Sequence, residues 1–122
     1  MQFTTFQLLA SGLLLFGAST AVAQSNFAAS CDNYYVTGTV LYADCLNDND
    51  SVYYATEVDL NYCLANDGGN LICEYGGSYG YSCSDCGLAS GTYFECSCQD
   101  GSGSSGIDLN NCVGNDDGGL YC

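Results

Sequence analysis

The sequence predicts an all-β, disulfide-rich fold made of two tandem copies of one module. Three observations carry this. A 16-residue motif recurs without a gap, strand-like alternation recurs upstream of each copy, and ten cysteines all follow an apolar leader. There is no proline and no convincing long helix.

The leader comes first. Residues 8–16 (LLASGLLLF) form an apolar run, too short to span a bilayer, which takes about 18 residues or more. Ala21-Val22-Ala23 follows with the small-x-small pattern that signal peptidase cuts after. Residues 1–23 are therefore expected to be a signal peptide, although Met1 to Gln7 contains no Lys or Arg. Residues 24–122 are the expected mature domain of a secreted, extracellular protein. Its 99 residues hold all ten cysteines, a density that outside the cell indicates a disulfide framework. With no His and a single Cys-x-x-Cys (Cys83, Cys86), bridges are favoured over zinc. No metal or other cofactor is expected.

The charge narrows the partners. Fourteen acidic residues stand against no Lys or Arg, a formal net charge of −14. Such a polyanion repels phosphate backbones and anionic lipid surfaces, which excludes nucleic acid and membrane. The usual general bases His and Lys are missing, and so is any cationic clamp for a developing oxyanion. A carboxylate pair of the glycosidase kind is the one catalytic device left, and a short chain with 16 glycines is poorly built to enclose it. The expectation is a binding protein, not an enzyme.

Val58 to Cys73 reads VDLNYCLANDGGNLIC and Ile107 to Cys122 reads IDLNNCVGNDDGGLYC, an ungapped match at an offset of 49. Upstream, Ser30-Cys31 corresponds to Ser82-Cys83, and Gly38-Thr39 with Cys45 corresponds to Gly91-Thr92 with Cys98. Offsets of 52 and 53 there place a one-residue insertion before Gly91 and a four-residue deletion between Cys98 and Ile107. The repeats run from about 27 to 73 and from about 79 to 122, joined by Glu74 to Ser78. Within each, Leu41, Ala43 and Cys45, or Phe94, Cys96 and Cys98, share the inward face of a strand. Thr37-Gly38 and Ser90-Gly91 turn a hairpin. Asp59-Leu60-Asn61 and Asp108-Leu109-Asn110 read as a short helical turn with Asp at its start. Asn66-Asp67-Gly68-Gly69 and Asn115-Asp116-Asp117-Gly118 form a second turn, where Asn, Asp and Gly tolerate positive φ.

This layout suggests a set of bridges. Cys31–Cys45 and Cys83–Cys98 would tie the first hairpins, while Cys63–Cys73 and Cys112–Cys122 would close the second. Cys86 and Cys96, aligned with Tyr34 and Ala43, would add a staple across the first hairpin of the second copy. Ten cysteines permit many other pairings.

Phe-x-x-Ser-Cys (Phe27 to Cys31), Leu-x-Ala-x-Cys (Leu41 to Cys45), Asp-Leu-Asn (Asp59 to Asn61), then Asn66, Gly69 and Leu71, repeated twice, resemble the cyanovirin-N homology family. The resemblance covers essentially the whole mature chain. Cys31–Cys45 and Cys83–Cys98 would be the family's own bridges, and the other six cysteines depart from its pattern. It implies a pseudo-symmetric, cyanovirin-N-like fold in which the two repeats exchange strands, a fungal origin, and a monomer or a domain-swapped dimer formed through Glu74 to Ser78. The implied activity is metal-independent binding of mannose-containing oligosaccharides at two sites.

Carried over by position, one site would use Ser30, Asn47, Asp48, Asn115, Asp116 and Asp117, beside Ala29 and Leu46. The other would use Asn66, Asp67, Ser82, Gln99 and Asp100, with Ala65, Gly68, Gly77, Ser78 and residues 101–103. These carboxylates, amides and hydroxyls suit sugar hydroxyls, although Leu46 and Ala65 stand where the family often has acids. Tyrosines, among them Tyr34, Tyr35, Tyr42, Tyr53, Tyr54, Tyr79 and Tyr81, offer faces for stacking on sugar rings. Asn49-Asp50-Ser51 is an N-glycosylation sequon beside the first site. The loop from Asp44 to Asp50 lacks the Gly and terminal Glu of an EF-hand loop. A second functional reading stays open, because tight turns alone select Asn-Asp-Gly: a secreted cysteine-rich structural or host-interaction protein that keeps the fold without binding sugar.

Overall fold

The computed structural model describes residues 25–49 and 51–122. The expected signal peptide, residues 1–23, lies outside them. In the first repeat β1 (Cys31–Thr37), β2 (Val40–Leu46) and β3 (Tyr53–Asp59) form an antiparallel sheet, followed by the hairpin of β4 (Leu64–Asp67) and β5 (Asn70–Cys73). The second repeat copies the plan with β6 (Cys83–Ser90), β7 (Tyr93–Cys98) and β8 (Ser104–Asp108), then β9 (Gly114–Asp116) and β10 (Gly119–Tyr121). The inward faces follow the expected alternation. Leu41, Ala43 and Cys45 are buried on β2, and Phe94, Cys96 and Cys98 on β7, while Tyr93, Glu95 and Ser97 are exposed.

Asp-Leu-Asn performs the same work in both copies. The Asp59 carboxylate accepts from Asn61 N at 3.0 Å, and that of Asp108 from Asn110 N at 2.9 Å, each capping a one-turn 3-10 helix at its start. Leu60 and Leu109 are fully buried. The asparagines then hold the start of the other repeat. Asn110 accepts from Asn26 N on its carbonyl at 2.7 Å and from Ala28 N on Oδ1 at 3.0 Å. Asn61 accepts from Ser78 N at 2.8 Å and from Gly80 N at 2.8 Å.

The second hairpins are exchanged, as the resemblance implies. Hairpin β9–β10 lies on the first repeat's sheet: Leu120 N donates to Thr56 Oγ1 at 3.0 Å, and Asn115 Nδ2 donates to Ser30 Oγ at 2.8 Å and to the Leu46 carbonyl at 2.9 Å. Hairpin β4–β5 lies on the second repeat's sheet: Leu71 N donates to Ser105 Oγ at 2.8 Å, and Asn66 Nδ2 donates to Ser82 Oγ at 3.0 Å and to the Gln99 carbonyl at 3.1 Å. Buried residues from both repeats make one core, including Phe27, Leu41, Leu60, Leu64, Tyr79, Phe94, Leu109 and Val113. Tyr79 occupies the position of Phe27 in the first copy, and its hydroxyl is buried without a hydrogen-bond partner. That burial, helped by the Asp59 carboxylate, pushes its pKa up to about 12.

Three of the expected bridges are present: Cys31–Cys45, Cys83–Cys98 and Cys86–Cys96. The other two are not Cys63–Cys73 and Cys112–Cys122. Cys63 joins Cys122, and Cys73 joins Cys112. Strand parity explains the correction. Leu64 pairs with Cys73, so Cys63 stands opposite Glu74, whose N–H donates to its carbonyl at 3.0 Å. Neighbouring residues point to opposite faces, which sends Cys63 and Cys73 to different sides of their own hairpin. Tyr121 pairs with Gly114, and the same offset separates Cys112 from Cys122. Each cysteine meets its partner in the other repeat, with Cα atoms 5.6 Å apart for Cys63–Cys122 and 5.3 Å apart for Cys73–Cys112. These bridges close 59 and 39 residues of sequence, so the chain-entropy account assigns them about 4 kcal/mol each.

A dimer made by swapping repeats through residues 74–78 carries both crossing bridges between chains. Such a dimer, obtained by oxidative refolding at high concentration, should survive denaturing electrophoresis without reductant and become monomer with it. A dimer that separates in denaturant alone contradicts the bridge pattern. Substituting Asn115→Ala strips partners from Ser30 Oγ, the Leu46 carbonyl and Gly118 N. It should cost roughly 2–3 kcal/mol in denaturant unfolding of the oxidised protein, and Asn66→Ala a similar amount. A loss below ~0.5 kcal/mol would remove the exchange role of these amides. Tyr79→Phe removes an unpaired buried hydroxyl and should raise stability by roughly 1 kcal/mol, read as a higher denaturation midpoint; a lowered midpoint counts against an unpaired hydroxyl.

Candidate carbohydrate site

Exchange builds one cleft in each half. The first, of about 680 Å³, is lined by Asn47, Asn49, Tyr54, Asp116, Asp117, Gly118 and Gly119. The second, of about 580 Å³, is lined by Gly68, Gly69, Asn70, Asp100, Gly101, Ser102, Gly103 and Ser104. Both volumes fall in the range of small-molecule sites. Gly68-Gly69 in one and Asp117-Gly118 in the other are equivalent two-residue turns, with φ of 61° and 96° against 51° and 92°. Positive φ at both central positions is what lets two residues reverse a twisted hairpin.

Each turn is braced from below by its asparagine. Asn115 Oδ1 accepts from Gly118 N at 2.8 Å and Asn66 Oδ1 from Gly69 N at 2.7 Å. Their amide protons go to Ser30 and Ser82 and to the carbonyls of Leu46 and Gln99. Ser30, Asn115, Ser82 and Asn66 therefore stand beneath the clefts as supports, and none is among the lining residues.

Asn47, Asp116 and Asp117 do line the first cleft. Asp117 accepts the backbone N–H of Asp48 on Oδ1 at 2.8 Å, which clasps the β2–β3 loop to the β9–β10 turn. Asn47 Oδ1 accepts from Ser51 N at 3.1 Å, holding the loop closed on itself. Asp116 is exposed with no such internal task. Asp100 lines the second cleft at φ 71°, whereas Asp67 and Gln99 are exposed outside that lining.

Tyr54 separates itself from the other tyrosines. Its ring lies against the turn, where a Cβ on Gly118 would come within 2.7 Å of Tyr54 Cδ2, and 49% of the residue remains exposed. Tyr34 packs edge-on against Phe27 with centroids 5.3 Å apart, Tyr35 and Tyr42 stack on each other, and Tyr79 is buried. The second cleft has no aromatic lining residue. At Gly69 the neighbour is backbone: an added Cβ would overlap Gly101 Cα. Ser102 falls within the expected stretch 101–103, whereas Asn70 and Ser104, the first residues of β5 and β8, join that cleft without a sequence signal. Among the described residues no group of His, Cys, Asp and Glu is arranged to hold a metal ion, and no helix is long and apolar enough to cross a membrane.

The fold has counterparts among solved structures. A variant of MoCVNH3, solved in complex with (N-GlcNAc)4, is 20% identical with a TM-score of 0.72, covering 80% of this chain and 96% of that one. GzCVNH of Gibberella zeae is 28% identical with a TM-score of 0.66, over 79% of this chain and 95% of its own. Microvirin, solved with mannobiose, is 26% identical with a TM-score of 0.59, over 80% and 97%. No curated protein matches the chain in sequence. The family model for the CVNH domain matches residues 27–121, nearly all of the described structure, and the chain belongs to the CVNH family.

Proposed function

We propose that the chain is a secreted, metal-independent lectin that binds mannose-containing oligosaccharides, with the first cleft as its stronger site. The observation that carries this is the pairing, in one open cleft, of a half-exposed tyrosine with the carboxylates and amides of Asp116, Asp117, Asn47 and Asn49. A pyranose has an apolar C–H face and a rim of hydroxyls. Tyr54 suits the face, and carboxylates and amides suit the rim as acceptors and forked partners. Microvirin's complex with mannobiose supports mannose as the sugar. The net charge of −14 favours neutral glycans over sialylated or sulfated ones. Asp100, Ser102 and Ser104, with glycine backbone around them, form the weaker second site. Ser30, Ser82, Asn66 and Asn115 act by holding the turns, and Asp48, Asp67 and Gln99 stand at the rims. The leader at residues 1–23 and the five bridges support export, and the absence of His, Lys and Arg supports binding rather than catalysis.

The second reading, a secreted structural or host-interaction protein without sugar binding, is favoured by one observation. The turn asparagines spend their side chains inside the fold, so a stable hairpin alone accounts for them. Calorimetric titration of the oxidised protein with mannobiose and with mannose-terminated oligosaccharides separates the two. Binding is expected, and Asp116→Ala should weaken it about tenfold or more, since a hydrogen bond to a charged group is worth roughly 1.5–3 kcal/mol, with unchanged denaturation. Silence towards these sugars and across a glycan array favours the second reading.

A further inference from the structure

Asn49-Asp50-Ser51 is the only Asn-x-Ser/Thr sequence in the chain. Asn49 is exposed and belongs to the wall of the first cleft, together with Asn47, Tyr54, Asp116 and Asp117. Residues near it in the loop are held by hydrogen bonds. One residue before it, Asp48 N donates to Asp117 Oδ1 at 2.8 Å, and beyond it Ser51 N donates to Asn47 Oδ1 at 3.1 Å. Asn47 N also donates to the Val52 carbonyl at 3.0 Å, closing the base of the loop. The equivalent loop of the second repeat is one residue shorter, reads Gln99-Asp100-Gly101-Ser102-Gly103, and has no sequon.

We propose that an N-glycan on Asn49 fills the first cleft of its own chain, so that the glycosylated protein presents one sugar site fewer. The inference rests on the first cleft being a sugar site and on passage through a glycosylating secretory pathway. In the modification, Asn49 Nδ2 forms a bond to C1 of the reducing-end sugar of a lipid-diphosphate-linked oligosaccharide. The C1–O bond breaks, the amide gives up one proton, and the lipid diphosphate leaves. The attached sugars then begin inside the cleft wall. A short flexible tether holds its ligand at about millimolar effective concentration, so a cleft that binds free oligosaccharide at micromolar Kd is nearly always filled from within. A rim glycan also excludes outside sugar by bulk. The second cleft, with no attachment point, stays open.

The full chain is made in a glycosylating yeast beside Ser51→Ala from the same host. That substitution abolishes the sequon but keeps Asn49 and the Ser51 N–H. Intact mass reports the glycan, and calorimetry with mannobiose counts sites. The wild type should carry the glycan and bind at one site fewer per chain than Ser51→Ala, and trimming with an endoglycosidase should restore the missing site. Adding Asp116→Ala to Ser51→Ala should remove that same site. An unmodified Asn49, or equal site numbers with the glycan confirmed, overturns the proposal. If Ser51→Ala itself binds no mannobiose, the lectin reading fails first and this inference falls with it.

Discussion

Neither repeat can cover its own second hairpin, and the rest of the molecule follows from that. Strands β4, β5, β9 and β10 have only three or four residues each, and a lone two-stranded hairpin is marginal in water. Each hairpin gains a third layer of contacts by lying on the other repeat's sheet, where Leu71 and Leu120 become buried. The exchange is fixed by pairs of side chains that differ little between copies: Asn115 on Ser30 and Leu46, Asn66 on Ser82 and Gln99. Two bridges, Cys63–Cys122 and Cys73–Cys112, then make the arrangement covalent. Removing one repeat therefore uncovers the other.

Much of this is legible in the sequence. The burial of Leu41, Ala43 and Cys45, and of Phe94, Cys96 and Cys98, follows from strand period, and two aligned copies made the inward face hard to misassign. Asp59 and Asp108 cap their turns for a reason written in residue type alone. The crossing bridges were not legible in the same way. Pairing Cys63 with Cys73 looks natural by sequence distance, and only the register, Leu64 opposite Cys73, turns the two sulfurs apart. A one-residue change of register reverses every side chain, and the run Asn66-Asp67-Gly68-Gly69 offers more than one pair of residues for the turn that sets it.

The candidate site was legible as a region and not as a set of roles. Turn, loop and repeat boundaries bring the right segments together, because the exchanged hairpins must meet the β2–β3 and β7–β8 loops. Which side chains face the cleft depends on how each part-buried amide is satisfied. Asn66 and Asn115 look like sugar ligands in a string of polar residues, yet their part-buried amides are spent on Ser82, Ser30 and backbone. Tyr54 had no mark separating it from ten other tyrosines until its ring was found against Gly118.

Pseudo-symmetry in the support coexists with asymmetry at the rims, and the two have different physical origins. The supports are mostly part-buried hydrogen bonds, so a change in one copy leaves unpaired groups and is costly. Rim positions carry no such cost, which is why one turn reads Asp117-Gly118 under a tyrosine and the other Gly68-Gly69 against Gly101 backbone. Because each cleft draws its turn from one repeat and its loop from the other, the clefts share one scaffold while differing freely in chemistry. Opening the exchange dismantles both clefts at once; changing a rim residue alters one of them alone.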